Sequence, residues 1–314
     1  MKRGFRGQGE GVRVQGSGFR VQGAVVGLMA VLVVVSGCST PKPSTLDPEI
    51  KLCADGANAA YRRGEVERAD ALYGKALQRA RLSDNRVEIS RNAYNLALCR
   101  MVAGKLEEAR GLLSQASELA GVKGQEAARI RLAEAEVARL SGKADESGLL
   151  AQQAVLAGAD REGRVHALLL QCEAALVSGQ VQGARDCYQA SKSGVSGKTP
   201  ALIQARLEAV AVGLVQAGAI AGDVGVLQLS RADWLKKAGQ FRDMVSALDG
   251  AAQHFEKMEK WAEAFDCRIR SAQSLLAAGK RDAAVQAARQ AAAVAERSGL
   301  AGQKALVAAV MKEL

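Results

Sequence analysis

Cysteines, two histidines and one glycine-rich run are the residues whose type and spacing could do chemistry. The run Gly194-Val195-Ser196-Gly197-Lys198-Thr199 ends like a phosphate-binding loop. That loop needs a glycine five residues before Gly197, where Lys192 stands; no strand precedes it and Pro200 follows, so the run reads as a solvated linker. His166 and His254 belong to no HExxH pattern and read as histidines on helix surfaces. No GxSxG elbow or Cys/His nucleophile arrangement occurs. Glu65, Glu67 and Asp70 lie beside Arg62, Arg63 and Arg68, as on solvated helix faces. The expectation is a chain without catalytic residues, metal or cofactor.

Cys38 is different because of what precedes it. Residues 24–35 read AVVGLMAVLVVV, an apolar run with basic residues upstream. It is about 12 residues long, whereas a membrane span needs roughly 20, so it fits the apolar core of a secretory signal. The run closes on Val35-Ser36-Gly37-Cys38, which resembles the lipobox of bacterial lipoproteins. Small residues fit the peptidase, and only a thiol can take the diacylglyceryl group as a thioether. The resemblance implies cleavage before Cys38, acylation of its sulfur and amine, and, with Ser39 rather than Asp next, sorting to the outer membrane on its periplasmic face. The following STPKPSTLDP reads as a flexible tether. A plain signal peptide or membrane anchor with a chance cysteine is the competing reading.

Charge follows the same division. The formal net charge is +10; residues 1–37 carry Lys2, Arg3, Arg6, Arg13 and Arg20 against Glu10, a net +4, which leaves +6 for residues 38–314. A mildly basic surface could meet acidic protein, anionic lipid or nucleic acid, and nothing in the sequence singles out nucleic acid.

Composition points to packed helices. Apolar residues make up 48% and aromatics 4%, with alanine and leucine dominant and 4 prolines. From residue 49, helical segments alternate with breaks at Gly64, Gly104, Gly142, Gly179, Gly239 and Gly279, spaced 40, 38, 37, 60 and 40 residues apart. Each fits the tight turn of an antiparallel hairpin, where φ is often positive. The expected fold is an all-α solenoid of about six hairpins, with one extra helix near 199–218 and a terminal helix at LAGQKALVAAVMKEL. The expected organisation is a signal peptide over 1–37, a tether over 38–48, and repeat regions over 49–192 and 199–314.

With each turn glycine as position 15, the units resemble tetratricopeptide (TPR) repeats. The three positions that must be small are Ala57, Ala69, Ala76; Ala97, Ala109, Ala116; Ala135, Ser147, Ala154; Cys172, Ala184, Ser191; Ala232, Met244, Ala251; and Ala272, Ala284, Ala291. Only Met244 departs. Tyr73, Leu113, Tyr188 and Leu248 fit the bulky position 24, while Ala151 and Ala288 do not. The family's Trp at position 4 and Pro at position 32 are absent.

The resemblance implies a concave groove lined by the first helix of each hairpin. Carried over, its residues are Lys51, Asn58, Tyr61 and Arg62; Arg91, Tyr94, Leu98 and Met101; Arg129, Leu132, Glu136 and Arg139; and His166, Leu169, Glu173 and Leu176. Asn58, Asn95 and Arg129 partly resemble the carboxylate clamp of chaperone-binding TPRs, but Ala54 and Ala133 fill two of its basic positions. Basic heads over an apolar, tyrosyl floor suit an extended or helical acidic peptide.

Five cysteines remain after Cys38, an odd number for an oxidising compartment. Cys172 and Cys187 fall on facing helices of one hairpin, where a disulfide can form; equally, both can serve as small buried apolar residues. The implied role is a membrane-anchored adaptor that binds a protein or peptide partner, by analogy with TPR lipoproteins of pilus, secretion and barrel assembly. A regulator of cell-wall enzymes and a glycan or peptide hydrolase are the alternatives. Partner identity and oligomeric state stay open.

Overall fold

The computed structural model describes residues 47–299 and 301–313. The proposed signal peptide, lipobox and Cys38 lie outside them. Fourteen helices and no strand occur among the described residues. In chain order they pair as α1 (Pro48–Arg62) with α2 (Val66–Leu82), α3 (Arg86–Val102) with α4 (Leu106–Ala120), α5 (Gln125–Leu140) with α6 (Ala144–Ala157), and α7 (Arg161–Val177) with α8 (Val181–Gly194). After α9 (Ala201–Gln216) come α10 (Val224–Lys237) with α11 (Phe241–Lys257), α12 (Trp261–Ala277) with α13 (Arg281–Ser298), and the terminal α14 (Ala301–Glu313).

One local device builds the hairpins. At each predicted turn the glycine takes a left-handed conformation, φ +78° at Gly64 and +73° at Gly104. The next residue then donates its N–H to the carbonyl five residues back: Glu65 to Ala60 at 3.0 Å, Lys105 to Arg100 at 2.8 Å, Gln180 to Ala175 at 2.8 Å. This 6→1 bond satisfies a helix-end carbonyl and reverses the chain. Asp84 (φ +46°) and Glu259 (φ +56°) do the same without glycine, after α2 and α11. First helices of hairpins more often start on a side-chain cap. Asp47, Asn85, Asp160 and Asp223 each accept a backbone N–H of the first turn, at distances from 2.8 to 3.2 Å.

Every small-position side chain is buried, with Met244 at 2% exposure. Tyr73, Leu113, Tyr188 and Leu248 are buried as well, as are the two alanines standing at the same position. Alanine at the crossings lets hairpin backbones approach closely, and larger neighbours fill the space to either side.

Neighbouring first helices touch along the array: α1 with α3, α3 with α5, α5 with α7, and α7 with α9. The second helices α2, α4, α6 and α8 make no comparable contact with one another. The stack therefore curves with its first helices on the inner side, giving a TPR-like solenoid. α9 joins the inner row beside α7 and also packs along α10, bridging the two expected repeat regions. The run once comparable to a phosphate loop is the α8–α9 connection, closed by a 2.8 Å hydrogen bond from the Ser196 N–H to Thr199 Oγ1.

Ala97 has 0% exposure at the crossing of α3 and α4. Replacing it by Leu should overpack that contact and cost about 1–3 kcal/mol in a urea unfolding experiment, with little change in m-value.

Candidate functional site

The inner face divides into two regions of different character. Along α1 and α3, Lys51, Arg62 and Arg91 are exposed, and Arg91 pairs with Glu88 at 2.6 Å. Tyr61 and Tyr94 on the same two helices are partly buried. Their hydroxyl oxygens are shut away from solvent with no hydrogen-bond partner. Burial raises both phenol pKa values above the usual tyrosine range, so both stay protonated donors. Asn58 is engaged, its Oδ1 accepting from the Tyr73 hydroxyl at 2.7 Å. Asn95 is half-buried. Arg129 continues the row on α5 and acts electrostatically on Tyr94.

Leu98 and Met101, expected as open groove floor, are instead 1% and 0% exposed and belong to the core shared by the first three hairpins. Leu132 and Leu169 are buried in the same way. The inner row of helices is packed too closely to leave these side chains open to solvent.

The second region is a buried charge network. Arg206 of α9, at 9% exposure, reaches across the inner face. Its Nε and Nη2 donate to Glu173 Oε1 and Oε2 on α7, at 2.5 and 2.6 Å. Its Nη1 donates to Glu136 Oε2 on α5 at 3.1 Å and meets His166 Nε2 on α7 at 3.0 Å. A guanidinium has no acceptor, so His166 Nε2 must accept and the ring proton sits on Nδ1. Arg139 pairs with Glu136 Oε1 through Nε at 2.9 Å and through Nη2. Two arginines thus neutralise two glutamates around a neutral imidazole.

His166 is therefore not a surface histidine; it is 3% exposed. Burial and the Arg206 charge hold its pKa below the usual value, against the pull of Glu136. Glu136, 1% exposed, is likewise not on a solvated face. Burial opposes its charge, but Arg206 and Arg139 outweigh this and hold its pKa well below the usual carboxylate range. Glu136 and Glu173 approach each other through Arg206, which pairs with both. Arg206 was missed from sequence, although a lone arginine within ALIQARLEAVAVGLV is a signal of a buried ion pair.

Beside this network a small recess of about 30 Å³ opens between the starts of α5 and α7, lined among others by Gln125, Arg129, Asp160, Glu162 and His166. Burial and the nearby Asp160 raise the Glu162 pKa, and its Oε1 is buried without a hydrogen-bond partner. His254 lies on α11, 3.4 Å from Asp223 and far from His166 in the chain. No group of three or more His, Cys, Asp or Glu side chains that could hold a metal occurs among the described residues.

No protein-family model matches the chain, and no curated protein matches it. Among solved structures it is similar to a tetratricopeptide repeat protein from Parabacteroides merdae, at 14% identity and TM-score 0.44, over 84% of this chain and 100% of that one. It is also similar to yeast Tom70, at 12% identity and TM-score 0.39, over 92% of this chain and 69% of that one.

Arg206→Leu should cost about 3 kcal/mol of stability by leaving the buried Glu136 short of one of its two partners. Adding Glu136→Met should restore most of it, since Arg139 and Glu173 already lie 3.8 Å apart and can pair; chemical denaturation of the single and double variants checks both. A second expectation concerns pH. His166 and Glu136 both have depressed folded pKa values, so each contributes stability above its unfolded pKa that is lost as pH falls toward the folded one. The melting temperature should fall as pH drops from about 7 to 5, and His166→Gln should flatten the upper part of that slope.

Proposed function

We propose that the chain is a non-enzymatic adaptor whose inner face, along the first three hairpins, holds an acidic peptide of a protein partner. One observation carries this reading. Lys51, Arg62 and Arg91 stand exposed on α1 and α3, the same two helices on which Tyr61 and Tyr94 are partly open. Exposed cationic heads on neighbouring inner helices suit the carboxylates of an acidic peptide. The aromatic rings supply contact area at low entropic cost.

The adaptor reading extends to location. The Val35-Ser36-Gly37-Cys38 sequence supports acylation at Cys38, which would hang the solenoid from the outer membrane on its periplasmic face by the tether over 38–48. No helix among the described residues is long and apolar enough to cross a membrane. A partner in envelope, pilus or secretion assembly follows from that location. Regulation of a cell-wall enzyme would use the same inner face.

The test is fluorescence anisotropy with a labelled helical peptide carrying glutamates and leucines, set against a lysine-for-glutamate control. The acidic peptide should bind more tightly at low salt, and Lys51→Glu with Arg62→Glu should weaken it about tenfold. Equal affinity for both peptides, or no loss on charge reversal, would refute the groove assignment. Labelled palmitate should enter the full chain and not its Cys38→Ser variant; label in neither chain would remove the anchor.

A further inference from the structure

We infer that Cys172 and Cys187 form a redox-active dithiol in the fourth hairpin, in which Cys187 reacts first with a small disulfide and Cys172 then closes an intramolecular bridge. The two residues sit on α7 and α8, on either side of the Gly179 turn, with both sulfurs present as thiols. Cys172 has 0% exposure at the crossing of the two helices, while Cys187 is partly open to solvent. Cys187 packs against the buried cluster that contains Cys172, where α7 and α8 pack together. Packing in one cluster across a hairpin brings the two side chains into the neighbourhood that a disulfide requires.

The order of reaction follows from access and charge. Burial raises both thiols above the usual cysteine range, Cys172 further than Cys187. Cys187 is therefore the more readily ionised of the pair and the one a reagent can reach. Its thiolate attacks one sulfur of the small disulfide; that S–S bond breaks and the first small thiolate leaves with the proton from Cys187. Cys172 then gives up its proton and attacks the Cys187 sulfur, breaking the mixed disulfide and releasing the second small thiol. Two protein thiols are oxidised to one disulfide and one small disulfide is reduced to two thiols. Cys53, Cys99 and Cys267 lie on α1, α3 and α12, outside this hairpin.

The bridge would brace α7 next to Glu173, one of the carboxylates that hold Arg206. It would therefore stiffen the part of the inner face where α9 joins the array.

Peptide mass mapping of the full chain, titrated with oxidised glutathione and then alkylated in denaturant, tests this. The bridge should appear between Cys172 and Cys187, and the melting temperature should rise by about 5 °C or more as it forms. Cys172→Ala should trap glutathione on Cys187, whereas Cys187→Ala should leave Cys172 unmodified in the folded chain. Both substitutions suit the fold: alanine already holds the position of Cys172 in the other five hairpins, and Cys187 is partly exposed. Circular dichroism identifies a variant that has lost helix. If both thiols of the folded chain stay open to alkylation at every glutathione ratio, or if glutathione settles on Cys172 instead, the inference fails.

Discussion

Close approach of helix backbones at alanine, serine and cysteine is the constraint from which the rest of the molecule follows. At the crossing positions from Ala57 to Ala291, Met244 excepted, the side chain is too small to hold the helices apart, and each is fully or almost fully buried. From α1 to α9 the array stacks with first helix against first helix and curves toward that side. A concave face exists because of this packing, and so does its closeness: Leu98, Met101 and Leu132 sink into the core.

That closeness also explains the charges. Glu136 and His166 are shut away from water beside the partly exposed Glu173, and Arg206 from the inserted helix α9 makes their burial tolerable. Replacing such a network with apolar residues often costs little, so its presence is better understood as fixing where α9 sits than as adding stability. The second repeat region is thereby tied to the first by charge as well as by apolar contact. An Arg268 network, with Asp249 at 3.2 Å and Glu256 at 3.0 Å, links α11 and α12 in similar fashion.

Much of the fold was legible because its signals are local. The turn glycines announce themselves by spacing, and the small positions by their offset from those glycines. Gly218 takes the same left-handed conformation (φ +70°) after α9 but was not read as a turn, because a longer connection over 217–223 separates it from α10 and breaks the pattern. The site was less legible. Exposed Lys51, Arg62 and Arg91 followed from position in the repeat, but the burial of His166 and Glu136 depends on Arg206, which is 40 and 70 residues away in the chain. No periodicity encodes a contact of that kind. The only local sign was a charge inside an apolar helix.

The most direct test of the account is hydrogen exchange of the full chain with and without the acidic peptide. The divided inner face predicts added protection in α1, α3 and the start of α5, and little change in α12 and α13. Protection confined to the last two hairpins, or spread evenly along the array, would contradict it.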